Sequence, residues 1–547
     1  MNVAAAPAAT PVEAAIAYHD RTKHSLKGYA AGPETLDWDA QPDPFRVFAG
    51  TARTPLPLLA DQVETRFGDL HMPRLDPPAP LTLAAVATLL ELSVGLTAWK
   101  EFGPDRWAVR ANPSSGNLHP TETYVLAHNV PALASGLHHY VSRDHVLELR
   151  CAGAEPERPA AGRLWIGLSS IQWREAWKYG ERAFRYCQLD VGHALGAFRY
   201  AAAALGWRAR LVDGLDSAAL ASLLGLDRGQ DFTGAEREEP EVLIAIDVDP
   251  EAPASALDGA VPALDAAGWT GVANLLDRHP MYRWPVIDEV ARATRFTPRA
   301  GAGTGAPAPS GPAPSYPARV GTATARAADV ILGRRSAQRF DAKYHMPRDT
   351  FWSLLDALLP RRAVPFDLWT LAPSLHPVLF VHKVEGVESG LYALPRQPEA
   401  GERLRAALRD DFEWVTPDGC PAHLPLRRLA RTDSRGIART LSCHQAIAGD
   451  SCFALGLLAT FEAALAEGAW RYRQLFWEAG LIGQALYLEA EAAGLRGTGI
   501  GCYFDDDFHR LLGLDGRDFQ SMYHFTVGRP MTDARIVSSP AYPGRKA

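Results

Sequence analysis

Apolar positions along the chain fall into two recurring patterns. The stretches LTLAAVATLLELSVGL (81–96), HALGAFRYAAAALG (193–206) and LIGQALYLEAEAAG (481–494) keep small or aliphatic residues through successive turns, which predicts well-buried helices. Their Ala and Gly positions permit close helix packing, and Gly494 stands where a C-terminal cap would end the last of them. Four shorter runs read as buried strands: TETYVLA (121–127), EVLIAIDV (241–248), VLFVHKV (378–384) and YHFTVG (523–528). No apolar window reaches about 18 uninterrupted residues, so no membrane-spanning helix is predicted. The pattern is that of an α+β protein.

One segment breaks it. Residues 296–322, FTPRAGAGTGAPAPSGPAPSYPARVGT, are too rich in Pro, Gly and Ala to support a packed core, and read as a surface linker. They separate a first domain, 1–295, from a second, 323–547. The two resemble each other. Adding 288 to the first half's numbers sets Arg185 on Arg473, Asp190 on Glu478, Gly192 on Gly480 and Gly206 on Gly494, and LLGLD (223–227) on LLGLD (511–515). Earlier in each half SGLHHY (135–140) faces SGLYAL (389–394), and PSSGNLHP (113–120) faces a shortened PSLHP (373–377). Landmarks kept in the same order indicate an internal duplication. Two related domains in one chain predict an intramolecular pseudo-dimer.

Composition narrows the function classes. Of the 547 residues, 47% are hydrophobic and 22% charged, as in a soluble globular protein with a sizeable core. The net charge of −7 disfavours nonspecific binding to nucleic acid or to anionic membranes. The six cysteines show no CxxC and no disulfide-like spacing, which points to the reducing cytoplasm. The first residues lack the basic start and apolar core of a signal peptide.

Candidate chemistry lies in four tracts. ILGRRSAQRFD (331–341) offers guanidinium forks and a hydroxyl at short spacing, suited to a phosphate, although a solvated helix turn has the same composition. GTGIG (497–501) lets backbone approach a planar ligand closely, but fits no dinucleotide fingerprint and equally reads as a tight turn. ANPSSGNLHP (111–120) is a loop with hydroxyl and backbone donors. WKYGERAFRYCQLDVGH (177–193) sets Lys178 beside Tyr179, either as chemistry or as the polar face of a helix. Arg185, Asp190 and His193 read as a helix-packing network. Arg427, Arg428, Arg431, Arg435 and Arg439 read as a solvated helix face.

Taken together, the Arg-x-Ser tract, the Pro-Ser-Ser loop and the Gly-rich turn resemble the FMN-dependent nitroreductase superfamily. PSSGNLHP…ETYV, SGLHHY and WKYGERAFRY…LDVGH are most similar to its SagB-type dehydrogenases, which include the thiazoline/oxazoline oxidases. The resemblance implies two tandem nitroreductase-like domains, each a mainly antiparallel sheet flanked by helices, with FMN bound between them. For one site it implies Arg334 or Arg335, Ser336, Gln338, Gly501, Cys502 and Arg535 from the second half. Pro113, Ser114, Ser115 and Asn117 would come from the first, with Lys178 and Tyr179 as the catalytic pair. Gln338 stands where the family carries a basic residue.

The reciprocal site would be damaged. Its opening tract reads TKHSLK, with His24, Ser25 and Lys27 in place of Arg-x-Ser. Asp213 stands where the second half has Gly501, and Ala466 and Glu467 stand for Lys178 and Tyr179. One flavin per chain is expected. The implied activity is hydride transfer between a small or peptide-derived substrate, such as an azoline, and the flavin. An NAD(P)H-dependent nitro- or quinone reductase and a non-catalytic scaffold binding a peptide or partner remain open.

Overall fold

The computed structural model describes residues 9–72, 77–153, 162–249, 263–298, 316–368 and 371–545. Its longest elements are two helices, Ala183–Ala204 and Arg471–Ala492, the duplicated core helices of the two halves. Every residue of the first except Ala203 is buried, its charged residues included. Gly206 and Gly494, both in the left-handed region (φ 77° and 70°), turn the chain away just after each helix. The two helices cross where Gly192 meets Gly480. A methyl group on Gly192 would stand 2.3 Å from the Trp477 carbonyl oxygen, and one on Gly480 would stand 2.2 Å from that of Leu189. Backbone packs on backbone there, and no side chain fits.

Each half lays its core helix against an antiparallel sheet. In the first, the central strands run in the order Val146–Gly153, Gly136–Val141, Thr121–His128, Arg163–Ser170, Glu239–Asp247, Arg208–Leu211. Leu264–Trp269 and Ala52–Pro55 both pair with Val146–Gly153. The second sheet repeats the order: Arg427–Arg431, Gly390–Ala393, Leu375–Val381, Phe453–Thr460, Phe519–Gly528, Arg496–Ile500. The expected α+β tandem forming an internal pseudo-dimer is what the chain builds.

The halves also exchange arms. Thr10 and Glu13 form a capping box at the start of helix Pro11–Arg21. That helix delivers His19 to Tyr472 and Gln520 of the second half (3.2 Å each). The chain's last strand, Val537–Ser539, joins a first-half hairpin made of Leu96–Phe102 and Asp105–Arg110. Beyond it the Tyr542 hydroxyl accepts from Leu96 N and donates to Ser142 O (2.8 and 2.7 Å).

Arginines on the core helices tie down two further helix ends. Arg185 donates to Thr22 Oγ1 and His19 O (2.9 and 2.5 Å). Its counterpart Arg473 does the same for helix Pro285–Ala293, donating to Thr294 Oγ1 and Ala291 O (2.9 and 2.5 Å). In the chain, that second helix precedes the Pro/Gly/Ala-rich stretch.

Two sequence expectations are corrected and one is sharpened. Of the stretch 296–322, residues 299–315 lie outside the described residues, and its end, largely exposed, is anchored at Arg319. Arg319 there grips Glu489 with both terminal nitrogens (2.5 and 2.6 Å) and reaches His71 (2.8 Å). Two charge-assisted bonds outweigh what that residue's free motion would contribute. The basic run at 427–439 is not one helix face. Arg427–Arg431 is a strand, and Arg428 pairs with Glu388 and Glu413. Cys443 and Cys502, 59 residues apart, form a disulfide with Cα atoms 5.9 Å apart. Sheet order brings the two together, which local spacing does not reveal. Among the described residues no helix is long and apolar enough to cross a membrane.

The helix crossing predicts opposite outcomes for two glycines. Gly480→Val should lower stability by about 1–3 kcal/mol or more through overpacking, read as a lower urea midpoint. Gly436→Ala, at a helical position with open space around it, should be neutral or stabilising by about 0.5–1 kcal/mol. Equal midpoints for the two variants would contradict a backbone-on-backbone crossing.

Candidate functional site

A cavity of about 580 Å³ opens between the halves, lined from both. Of the residues expected in a site, Pro113, Ser114, Ser115, Asn117, Tyr179, Arg334, Arg335, Ser336, Gln338, Gly501 and Cys502 all line it. Two expected residues do not. Lys178 Nζ lies behind Tyr179, 5.5 Å from its ring centroid and 5.4 Å from that of Trp38. Arg535 is held by Asp533 (2.7–2.9 Å) over the Phe102 ring, with 73% of its side chain exposed.

The Pro-Ser-Ser loop owes its shape to unusual backbone. Gly116, Asn117 and His119 are all left-handed (φ 58°, 60°, 52°), a strained conformation for the last two. Side chains hold it there. Ser114 Oγ accepts from His119 N (2.8 Å), and Asn117 Nδ2 donates to Ala108 O (2.8 Å). Asp190 Oδ1 accepts from both N and Oγ of Ser115 (3.0 and 3.1 Å). Arg334 supports the same loop from the other half, donating to the carbonyls of Arg110 and Ala111 (2.9 Å each). Through Nε and Nη2 Arg334 acts as a strut between the halves.

A second group of residues is cationic. Arg335 donates to the carbonyls of Leu332, Arg334 and Thr97 (2.7–3.2 Å). Burial, then the charges of Arg334 and Arg496, pull it down to about 10. Lys100, on the hairpin strand Leu96–Phe102, donates to Ser538 Oγ and is likewise lowered, by burial and then by Arg335 and Arg496. Arg496 reaches Glu491 at 3.5 Å. Lys100, Arg335 and Arg496 therefore repel one another across one wall, an arrangement that an anion placed between them would relieve. Ser336 Oγ, nearby in sequence, shares a hydrogen with the Tyr487 hydroxyl (2.9 Å), which also accepts from Gly499 N (2.9 Å).

The third group is aromatic and acidic. Tyr179 and Tyr186 rings lie 4.5 Å apart. Gly116 packs against the Tyr179 hydroxyl and Gly501 against the Tyr186 ring; a methyl would approach to 2.5 and 2.1 Å. His193, kept neutral by burial at about 3, meets the Tyr523 hydroxyl at 3.0 Å. Burial pushes Asp190 up to about 7, against the bonds from Ser114 and Ser115. Burial and then the Asp190 charge hold Glu175 well above the usual carboxylate range. Burial lowers Lys178. Tyr179 is raised well above an ordinary phenol, so it keeps its proton.

Asp190 and His193 thus line the cavity instead of forming only a packing network. Sequence reading also passed over Lys100, Tyr186, Tyr487, Arg496 and Tyr523. A signal existed for two of them: the duplicate positions of Tyr186 and Tyr487 hold Gln474 and Arg199.

The counterpart arrangement in the second copy is filled. Glu478, matching Asp190, accepts from Ser374 N (2.9 Å) but is also paired with the buried Arg396. Arg471 bonds Ser374 Oγ (3.1 Å), and Arg199, matching Tyr487, is clasped by Asp367 (2.8 and 2.7 Å). The expected role of TKHSLK is corrected. His24 N and Leu26 N bind the carboxylates of Asp505 and Asp507 (3.0 and 2.6 Å) at the start of helix Asp505–Leu512. The true parallel is RFGDLHM (66–72) with RFDAKYHM (339–346), which sets Asp61, Gln62 and Val63 against Arg334, Arg335 and Ser336. Among the described residues no group of three or more His, Cys, Asp or Glu could hold a metal.

Comparison with known proteins finds the same unit in both halves. The model of the nitroreductase family matches residues 75–235 and 331–529. A protein of Methanocaldococcus jannaschii named as a nitroreductase is 26% identical over 138 residues, 23% of this chain and 66% of its own length. The match thus spans just under two thirds of that relative. A nitroreductase crystal structure from Anabaena variabilis shares the fold over 95% of this chain and 99% of its own, with a TM-score of 0.66 at 22% identity. A chain of the E. coli microcin synthetase McbBCD complex matches over 32% of this chain and 70% of its own, at 18% identity and a TM-score of 0.25. That score is too low to carry an argument.

Asp190 should make stability fall with rising pH. Its folded-state value near 7 against the ordinary 3.8 means the folded chain keeps a proton that the unfolded chain loses from about pH 4 upward. The loss is complete above pH 7 and amounts to at most about 4 kcal/mol, at about 1.4 kcal/mol per unit. Urea midpoints at pH 4.5 and 7.5 should fall further in the wild type than in Asp190→Asn; parallel profiles would contradict the buried, unneutralised carboxyl.

Proposed function

The chain belongs to the nitroreductase family, and on that premise we propose that its cavity holds one FMN. We further propose that the protein is an oxidoreductase of the SagB type, taking a hydride and a proton from an azoline or similar peptide-derived heterocycle. The observation that carries the reading is the convergence of Lys100, Arg335 and Arg496 on one wall of a cavity whose other wall is tyrosine, glycine and the Pro-Ser-Ser loop. A phosphate suits the cations, and a flat ring suits Tyr179, Tyr523 and Tyr186, which Gly116, Gly499 and Gly501 let close upon the wall.

When bound, a flavin supplies the hydride acceptor. The chain supplies the rest. Arg335, Arg496, Lys100 and Ser336 would hold the phosphate, while the strut Arg334 keeps the two halves in register around the cavity. Gln338, which lines the cavity, would offer its amide N–H to the ring in place of the family's cation and would stabilise added negative charge less than a charged group. Tyr179 keeps its phenolic proton and orients the substrate. Lys178, its ammonium destabilised by burial, would serve as the base at Nζ once its flexible side chain turns from the Trp38 and Tyr179 rings toward the cavity. Both residues are absent from the second copy, where Ala466 and Glu467 stand.

Titration of the flavin-free protein tests the phosphate grip. FMN should bind tightly to the wild type and about 10–100-fold more weakly to Arg335→Ala, as charge-assisted bonds of about 1.5–3 kcal/mol require. Riboflavin, without the phosphate, should bind the two alike. An equal loss for both ligands would move the phosphate elsewhere. Lys178→Ala and Tyr179→Phe should keep FMN affinity and slow azoline oxidation by roughly 100-fold, the scale of general acid–base catalysis. Wild-type rates in both variants would remove the pair from catalysis, and rapid anaerobic bleaching by NAD(P)H would favour a nitro- or quinone reductase.

A further inference from the structure

We infer that the Cys443–Cys502 disulfide is a second two-electron centre, exchanging an electron pair with the flavin in the adjoining cavity and with small thiols on its outer side. The inference rests on the reading of the cavity as a flavin site.

The bond spans the cavity wall. Cys502 lines the cavity directly after Gly501, and Cys443 lies outside the lining in the turn after helix Arg435–Leu441. Both cysteines are partly exposed. Gln445, from the same turn, lines the cavity too and donates Nε2 to Cys502 O (3.2 Å). The remaining cysteines differ. Cys151, Cys187 and Cys452 are buried, and Cys420 is half-buried, its thiol pushed up to about 11 by burial.

A purely structural cross-link has little to add at this place. Phe504 N already donates to Leu441 O (2.8 Å), and Gln445 ties the turn to Cys502. Strand Arg496–Ile500 is fixed along its length by the ladder to Phe519–Gly528. The turn is also strained: Cys443 and His444 are both left-handed non-glycine residues (φ 52° and 60°). Arg182, paired with Asp505 (3.0 Å), donates to Gly501 O (3.2 Å) and fixes the backbone one residue before Cys502.

The step balances. On reduction the Sγ–Sγ bond breaks, and the pair takes two electrons and two protons to become two thiols; dihydroflavin gives up the same electrons and protons and becomes oxidised. In reverse, two thiols close to the disulfide as the flavin is reduced. A small dithiol opens the bond from outside by thiol–disulfide exchange, its own sulfurs closing to a disulfide.

The experiment uses the full chain carrying its flavin, without oxygen. Stepwise dithionite addition should consume four electrons per chain before reduction is complete, against two in Cys443→Ser. Alkylation in denaturant, counted by mass spectrometry, should find four free cysteines before reduction and six after. Dithiothreitol should bleach the wild-type flavin at least tenfold faster than that of Cys443→Ser. Two electrons with the disulfide left intact, or six free cysteines in the oxidised protein, would overturn the inference, as would equal dithiothreitol rates. A chain that takes up no FMN would overturn the flavin reading and the exchange with it. The cysteine count with and without dithiothreitol would then still show whether the pair itself opens.

Discussion

The contact between Gly192 and Gly480 governs the rest of the structure. Two helices buried on nearly every face, their charged residues partnered inside, each cover one face with the other. Because no side chain intervenes at the crossing, the separation of the two halves is set by backbone alone. That rigidity lets loops from one half meet residues of the other at hydrogen-bond distance. Arg334 reaches the carbonyls of Arg110 and Ala111 across the seam, and the cavity wall inherits its dimensions from this fit. The exchanged arms, from Thr10 at one end to Tyr542 at the other, close the same seam from outside.

A duplicated chain released from symmetry can keep one site and use the other position for stability. The carboxylates at matching places on the core helices show the difference. Asp190 holds the Pro-Ser-Ser loop with no arginine directly upon it, and burial raises it toward 7. Glu478 holds the shortened loop in the same way but is paired with Arg396. Arg199, which stands where the first site has Tyr487, and Arg396 and Arg471 beside the shortened loop bond Asp367, Glu478 and Ser374. A buried pair of this kind holds only while both partners remain.

Sequence pattern made much of this legible. The core helices, the strand runs and the repeat offset of 288 are periodic or self-similar features, and they survive folding as contiguous elements. The Pro-Ser-Ser loop and the Arg-x-Ser tract were legible from their residue types, whereas GTGIG, read as a turn, is the paired strand Arg496–Ile500 running into Gly501. What stayed hidden depends on contacts between distant segments. Lys100 sits on a hairpin with no motif, and only the fold brings it to Arg335 and Arg496. The partner of Cys502 lies 59 residues away. TKHSLK was misplaced because a helix-start contact with Asp505 and Asp507 leaves no local signature, whereas the parallel of RFGDLHM with RFDAKYHM was present in the letters.

The central claim is that one composite cavity, and not two, carries the chemistry of this duplicated chain. Its most direct measurement is the ratio of flavin to polypeptide in the purified protein, taken from the visible spectrum after denaturation and an independent protein assay. A ratio near one is expected once the protein is saturated with FMN. A ratio near two would show that the arginine-filled second position still binds, and a protein that stays colourless in excess FMN would contradict the flavin site itself.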